Sequence, residues 1–230
     1  MITPGLKIVA LFFILSGLVA AIMIAFDLRR HPQPMKIMNP VWILTGLWGS
    51  ILALTAYYAF GRALQTKKPM NMSMAGMKME SHPHWQSVTL SALHCGAGCT
   101  LADIIGEWFL YFIPVTLFGS VLAGGWVFDY ILALITGIVF QYAAIQSMNR
   151  ISPKKAIMKA FKADALSLTS WQIGMYGWMA MARFVIFPEV DLAPVTPLFW
   201  FMMQLAMLAG FICAFPMNAL LIHWGIKKAM

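Results

Sequence analysis

The sequence predicts an all-α, polytopic membrane protein: a bundle of six transmembrane helices with both termini in the cytoplasm. Three observations carry that expectation. Of the 230 residues, 61% are hydrophobic and only 10% charged, where soluble domains carry about 25% charged residues. The apolar residues gather in six runs, each near the roughly 20 residues that cross a hydrocarbon core of about 30 Å. The runs are apolar throughout and do not alternate, which selects helices over a barrel. Length fits one membrane domain over residues 1–230, without a separate soluble unit.

The first span, Ile8–Phe26, follows a single Lys7 and superficially looks like a signal peptide. It is long for that role, and Asp27-Leu28-Arg29-Arg30 supplies no small-residue cleavage site. The second is expected at Val41–Phe60, followed by a methionine-rich loop over residues 63–86. The third is Val88–Phe112 and the fourth Trp126–Ser147, divided near Pro114 to Gly125 by their Pro and Gly content. The fifth is Ala165–Phe187 and the sixth Leu198–Leu221. No internal repeat suggests an inverted-repeat transporter.

Six crossings put the N-terminus, the loops after spans two and four, and the C-terminus on one side. That side holds Lys7, Arg62, Lys67, Lys68, Lys78, Arg150, Lys154, Lys155, Lys159, Lys162, Lys227 and Lys228; the other holds Arg29, Arg30 and Lys36. The excess marks the first side as cytoplasmic. The net charge of +8 is thereby explained by loops at a lipid surface, and no nucleic-acid partner is expected.

Chemistry concentrates in span three. In a helix, Cys95, Cys99, Asp103 and Glu107 recur every four residues and share one slowly drifting stripe. A carboxylate near the bilayer centre costs about 2.5–3.5 kcal/mol on insertion scales, so the stripe needs an offset: a bound cation, a buried partner, or a function that uses the charge. The two thiols, with His94 adjacent, suit a soft metal ion. A disulfide is harder, because helical positions four apart hold their Cβ atoms about 5–6 Å apart against the roughly 3.5–4.5 Å that a disulfide prefers. Packing is the competing reading, since Ser91, Gly96, Ala97 and Gly98 form a small-residue surface. Asp103 and Glu107 are candidates for an ion or proton path, and Glu107 is also expected to pair with Arg183 at similar depth in span five. Asp129 and Asp164, near span ends, are read as interfacial.

The loop supplies Met70, Met72, Met74, Met77 and Met79, closely followed by His82 and His84. Thioethers are soft neutral ligands suited to Cu(I); a flexible apolar segment resting on the membrane surface is the plainer alternative. Met175 and Met179 in span five, and Met203 and Met207 in span six, meet near mid-bilayer, as packing or as part of a metal path. His223 is expected at the interface, with haem ligation its weaker reading.

The run His94-Cys95-Gly96-Ala97-Gly98-Cys99-Thr100 with Asp103-Ile104-Ile105 and Glu107-Trp108 resembles an uncharacterised prokaryotic integral-membrane family, a domain of unknown function sometimes labelled copper-related. Met38-Asn39-Pro40-Val41-Trp42 and Phe199-Trp200-Phe201-Met202-Met203-Gln204 are similar to its other signatures. The resemblance implies the helical membrane fold and a link to copper. A looser analogy of ligand type connects the methionine loop to eukaryotic-type copper transporters, which differ in having three spans. The expected function is binding and transport or delivery of copper(I), possible partners being the lipid bilayer, a metallochaperone or a second copy in a homo-oligomer. The rivals are a thiol oxidoreductase that cycles Cys95 and Cys99 with a quinone, and a non-catalytic assembly subunit. No phosphate loop indicates an ATPase.

Overall fold

A computed structural model describes residues 3–63, 84–148 and 152–227. The described residues form six long helices: α1 (Pro4–Arg30), α2 (Met38–Ala56, continued by a π-helical turn Tyr57–Gly61), α3 (His84–Phe112), α4 (Val121–Met148), α5 (Pro153–Met181, continued by a π-helical turn Ala182–Ile186) and α6 (Pro197–His223). Five of them are long and apolar enough to cross a membrane; α5 is the exception. The starts follow local rules. Pro4, Pro153 and Pro197 each occupy the first turn, where no intrahelical N–H is needed. Thr196 caps α6 by accepting from the Phe199 N–H at 3.3 Å. The α3–α4 connection falls in the expected Pro/Gly stretch, with Phe118 and Gly119 in left-handed conformations (φ 50° and 76°).

The second expected span is where the structure departs from the sequence reading. Ser50 sits at φ 47°, ψ −124°, and the helix reverses there. Trp42 therefore packs on Tyr57 (centroids 5.4 Å apart) and on Phe60 (6.0 Å). On a straight helix those residues would stand more than about 20 Å apart at 1.5 Å per residue. Gln33 Nε2 donates to the Gly61 carbonyl at 2.8 Å, which closes the mouth of the hairpin. Residues 38–49 thus run inward for about 18 Å, and residues 51–61 return beside them. The element is a helical hairpin whose two ends lie side by side. Its tip rests on α1, where Ser50 Oγ donates to the Phe13 carbonyl at 3.3 Å. Gln204 of α6 donates to the Leu47 carbonyl at 2.7 Å, satisfying a group that the break in the helix leaves open.

The C-terminal end of α1 lies beside the hairpin mouth, where Asp27 binds Arg62 through paired bonds of 2.9 Å and accepts from Tyr57 Oη at 2.8 Å. Phe60 touches Trp85 at the start of α3, with centroids 5.4 Å apart. At the opposite end, Trp108 of α3 stacks near Trp200 of α6, and Phe13 of α1 on Phe201. The start of α1 and the end of α6 occupy opposite ends of the bundle.

Helix α3 is the centre. In its most apolar stretch 83% of residues are buried, against 22–39% for the other four apolar helices. Small residues permit this. A Cβ on Gly98 would stand 3.0 Å from the Gly137 backbone of α4, and Thr136 Oγ1 donates to the Gly98 carbonyl at 2.9 Å across that crossing. Trp171 of α5 fills the slot between Gly96 of α3 and Gly210 of α6. The apolar faces of α1 remain exposed, as a surface turned to lipid requires: Leu15 is 58% and Val19 55% accessible.

Candidate functional site

The helical stripe expected in span three forms. Cys95 and Cys99 are fully buried, Asp103 is 3% exposed, and Glu107 is half-buried one turn further on. The two thiols adjoin one helical turn apart, and neither cysteine is in a disulfide. His94, also fully buried, points from the stripe toward α4, its ring edge-on to Phe140 with centroids 5.9 Å apart. Among the described residues no three His, Cys, Asp or Glu side chains gather around a common point to hold a metal.

Three further buried charged groups extend the row, and all three correct the sequence reading. Asp164, expected at an interface, is fully buried on α5 with its carboxyl beside the Cys95 thiol and against Gly137 of α4. A side chain at Gly137 would occupy that carboxyl's place. Lys227, expected as a loop cation, is 2% exposed. Its ammonium donates to the Ser91 carbonyl at 3.1 Å and to Asn218 Oδ1 at 2.8 Å, and lies 3.9 Å from Asp164 Oδ1. The chain reaches inward because Gly225 adopts φ 69° just past α6. The Ile226 N–H then returns to the Leu221 carbonyl and the Gly225 N–H to that of Ile222, each at 3.0 Å, the paired bonds of a Schellman stop. The signal was present as His223-Trp224-Gly225-Ile226-Lys227, a glycine stop followed by a residue directed back at the helix.

Asp129, also expected at an interface, is 3% exposed, and its Oδ1 rests on Gly106 of α3. Its partner is Glu107, whose carboxyl group meets that of Asp129. This replaces the expected Glu107–Arg183 ion pair. Arg183 instead faces Glu107, Asp129 and Asp191 across a cavity of about 330 Å³ at the Trp200 end, which Met179 also lines. Among the described residues the ion pairs are Asp27 with Arg62 and His31, and Asp164 with Lys227. Glu107→Gln should therefore be mild, within about 1 kcal/mol by thermal melting, because an amide can still donate to Asp129. A loss of several kcal/mol would restore the direct Arg183 pair.

A second cavity, of about 310 Å³, lies at the hairpin tip between α1, α3 and α6. Asp103, Thr100 and Gln204 are its polar lining, and Met203 and Met207 line it from α6. Met175 is buried in the same apolar core, and the packing of Gly174 on Ala209 sets the two methionine pairs at a common level. Met70, Met72, Met74, Met77, Met79 and His82 lie outside the described residues; His84 is exposed at the start of α3.

The polar row thus runs the length of α3, from Lys227 and Asp164 through Cys95, Cys99 and Asp103 to Asp129 and Glu107. Compared with protein families, residues 84–227 match the domain of unknown function DUF4396. The chain belongs to the DUF4396 family. The stretch matched to DUF4396 starts with α3 and closes on Lys227, so it holds every member of the row, while α1 and the hairpin precede it. No curated protein and no solved structure matches the chain.

Proposed function

We propose that this protein carries a soft monovalent cation, Cu(I), across a prokaryotic inner membrane along the buried row of α3. The observation that supports it most is the adjacency of two buried thiols with carboxyls on either side, Asp164 against Cys95 and Asp103 one turn beyond Cys99. Two thiolates suffice for Cu(I), whose softness matches sulfur. A site of only two protein ligands also suits an ion that must leave again. Binding requires each thiol to give up its proton, and the flanking carboxyls are placed to take it. The outer cavity, with three carboxylates facing Arg183, is the other terminus of the route. A thiol oxidoreductase is less well served, since an unbroken helix holds the two Cβ atoms too far apart for easy disulfide closure.

We read the orientation from the hairpin and the basic residues together. With α1, α3, α4, α5 and α6 crossing, the Arg62 end gathers Arg29, Arg30, Lys36, Arg62, Lys154, Lys155, Lys159 and Lys162 from the described residues. The opposite end has Lys7 and Arg183. The Arg62 end is then cytoplasmic, the N-terminus external, and the C-terminus cytoplasmic. Both flanks of the Met70–Met79 segment sit at the cytoplasmic end, which suits it to receive Cu(I) from a metallochaperone or the cytosol. The assignment of α5 as a crossing rests on its length of 29 residues and its packing along α6.

Titration of the purified protein with Cu(I) against a competing chelator tests the reading. Wild type should hold about one ion per chain, and Cys95→Ser or Cys99→Ser should lose it, because a hydroxyl is a poor soft ligand. Asp103→Asn should keep the ion yet slow its movement into proteoliposomes. Equal binding by wild type and the Cys95→Ser/Cys99→Ser pair would overturn the proposal.

A further inference from the structure

The cavity at the hairpin tip has a composition unlike that of the outer one. Its walls include Trp48, Trp108, Trp200, Met203 and Met207, and its one ionisable group is Asp103. That side chain is 3% exposed, and its Oδ2 has no hydrogen-bond partner. The amide of Gln204 is already engaged by the Leu47 and Phe13 carbonyls. No Lys, Arg or His lines the space, whereas the outer cavity sets Arg183 against its three carboxylates. A carboxyl group in an apolar chamber is held in its ionised form only by a counter-charge, and no lining side chain supplies one. The chamber's aromatic walls indicate its chemistry. Trp108 and Trp200 lie near-parallel, with centroids 6.5 Å apart, and indole faces attract cations. Leu18, which also lines the cavity, is 45% exposed on the lipid-facing side of α1, so the mouth meets the apolar surface of the bundle.

We infer that this cavity binds a small amphipathic organic cation, an ammonium group on an apolar body, which enters from the lipid phase and neutralises Asp103. Carboxylate, indoles and thioethers divide the work: the first fixes the charge, and the others accept the apolar body and the diffuse edge of the cation. A neutral amphiphile of the same shape fills the space but leaves the carboxylate uncompensated. The inference goes beyond the copper reading and shares only Asp103 with it; the thiols take no part.

The purified full-length protein in detergent, titrated calorimetrically with benzyltrimethylammonium and with neopentylbenzene, decides the matter. The two probes differ by a carbon in place of the charged nitrogen. Wild type should prefer the cation by at least about tenfold. Asp103→Asn should reduce the cation to the level of the neutral probe while leaving the latter unchanged. Trp200→Leu keeps the charge and should weaken the cation by about threefold or more; it carries the test if Asp103→Asn does not fold. Cys95→Ser should bind benzyltrimethylammonium as wild type does, so failure of copper binding and failure of this site are separately visible. Equal affinity for the two probes, a preference for the neutral one, binding of neither, or cation binding unchanged in both Asp103→Asn and Trp200→Leu would overturn the inference.

Discussion

Lys227→Met should destabilise the folded protein by about 3–5 kcal/mol, the loss expected when one member of a buried ion pair is removed. The ammonium is enclosed on all sides, with Ser91, Asn218 and Asp164 as its partners. Methionine fills similar volume but leaves the Asp164 carboxyl, itself fully buried, without its counter-charge. Asp164→Asn introduced alongside should recover a large part of the loss, because the amide needs no cation. Thermal or denaturant melting of the two single variants and the double variant gives the coupling directly. Additive losses, with no recovery in the double variant, would mean that Lys227 and Asp164 do not act as a pair. Replacement of Gly225 by a β-branched residue should move in the same direction by a smaller amount, since φ 69° is costly for any side chain there and the stop places Lys227.

The sequence made the helices legible because each apolar run is long and bounded by Pro, Gly or charge. It also exposed the Cys95–Cys99–Asp103–Glu107 stripe, because helical spacing alone puts those residues together. The hairpin was hidden for a physical reason. Residues 38–61 are as long and apolar as a crossing segment, and the reversal falls on a serine, not on a Gly-Pro pair. The one electrostatic hint of it is that a six-span topology leaves Arg29, Arg30 and Lys36 on the external side. Asp129, Asp164 and Lys227 were misplaced because nearness to a span end suggested contact with water. What buries them is space provided elsewhere, by Gly106 and Gly137 on neighbouring helices and by the left-handed Gly225. Such compensation between distant positions leaves no local pattern. The expected Glu107–Arg183 pair failed for a related reason: equal depth on two helices does not fix which faces meet.

The hairpin makes an all-or-none prediction about sidedness. Thr3→Cys, in a background with Cys213→Ser, should react with a membrane-impermeant maleimide on intact cells. Pro34→Cys, between α1 and the hairpin, should react only after the membrane is opened. Both positions are exposed, so access to reagent is set by the side they occupy. Cys95 and Cys99 are buried and contribute little background. Six straight crossings with cytoplasmic termini require the opposite result at both sites. They would also require Trp42 to leave Tyr57 and Phe60, Gln33 to leave Gly61, and Arg62 to leave Asp27. A straight segment would further place Arg29, Arg30 and Lys36 on the external face, against the bias that orients short loops. The reversal at Ser50 relieves that conflict and preserves the contacts. Labelling of Pro34→Cys from outside, with Thr3→Cys protected, would show that α2 crosses and that the re-entrant arm does not persist in the bilayer.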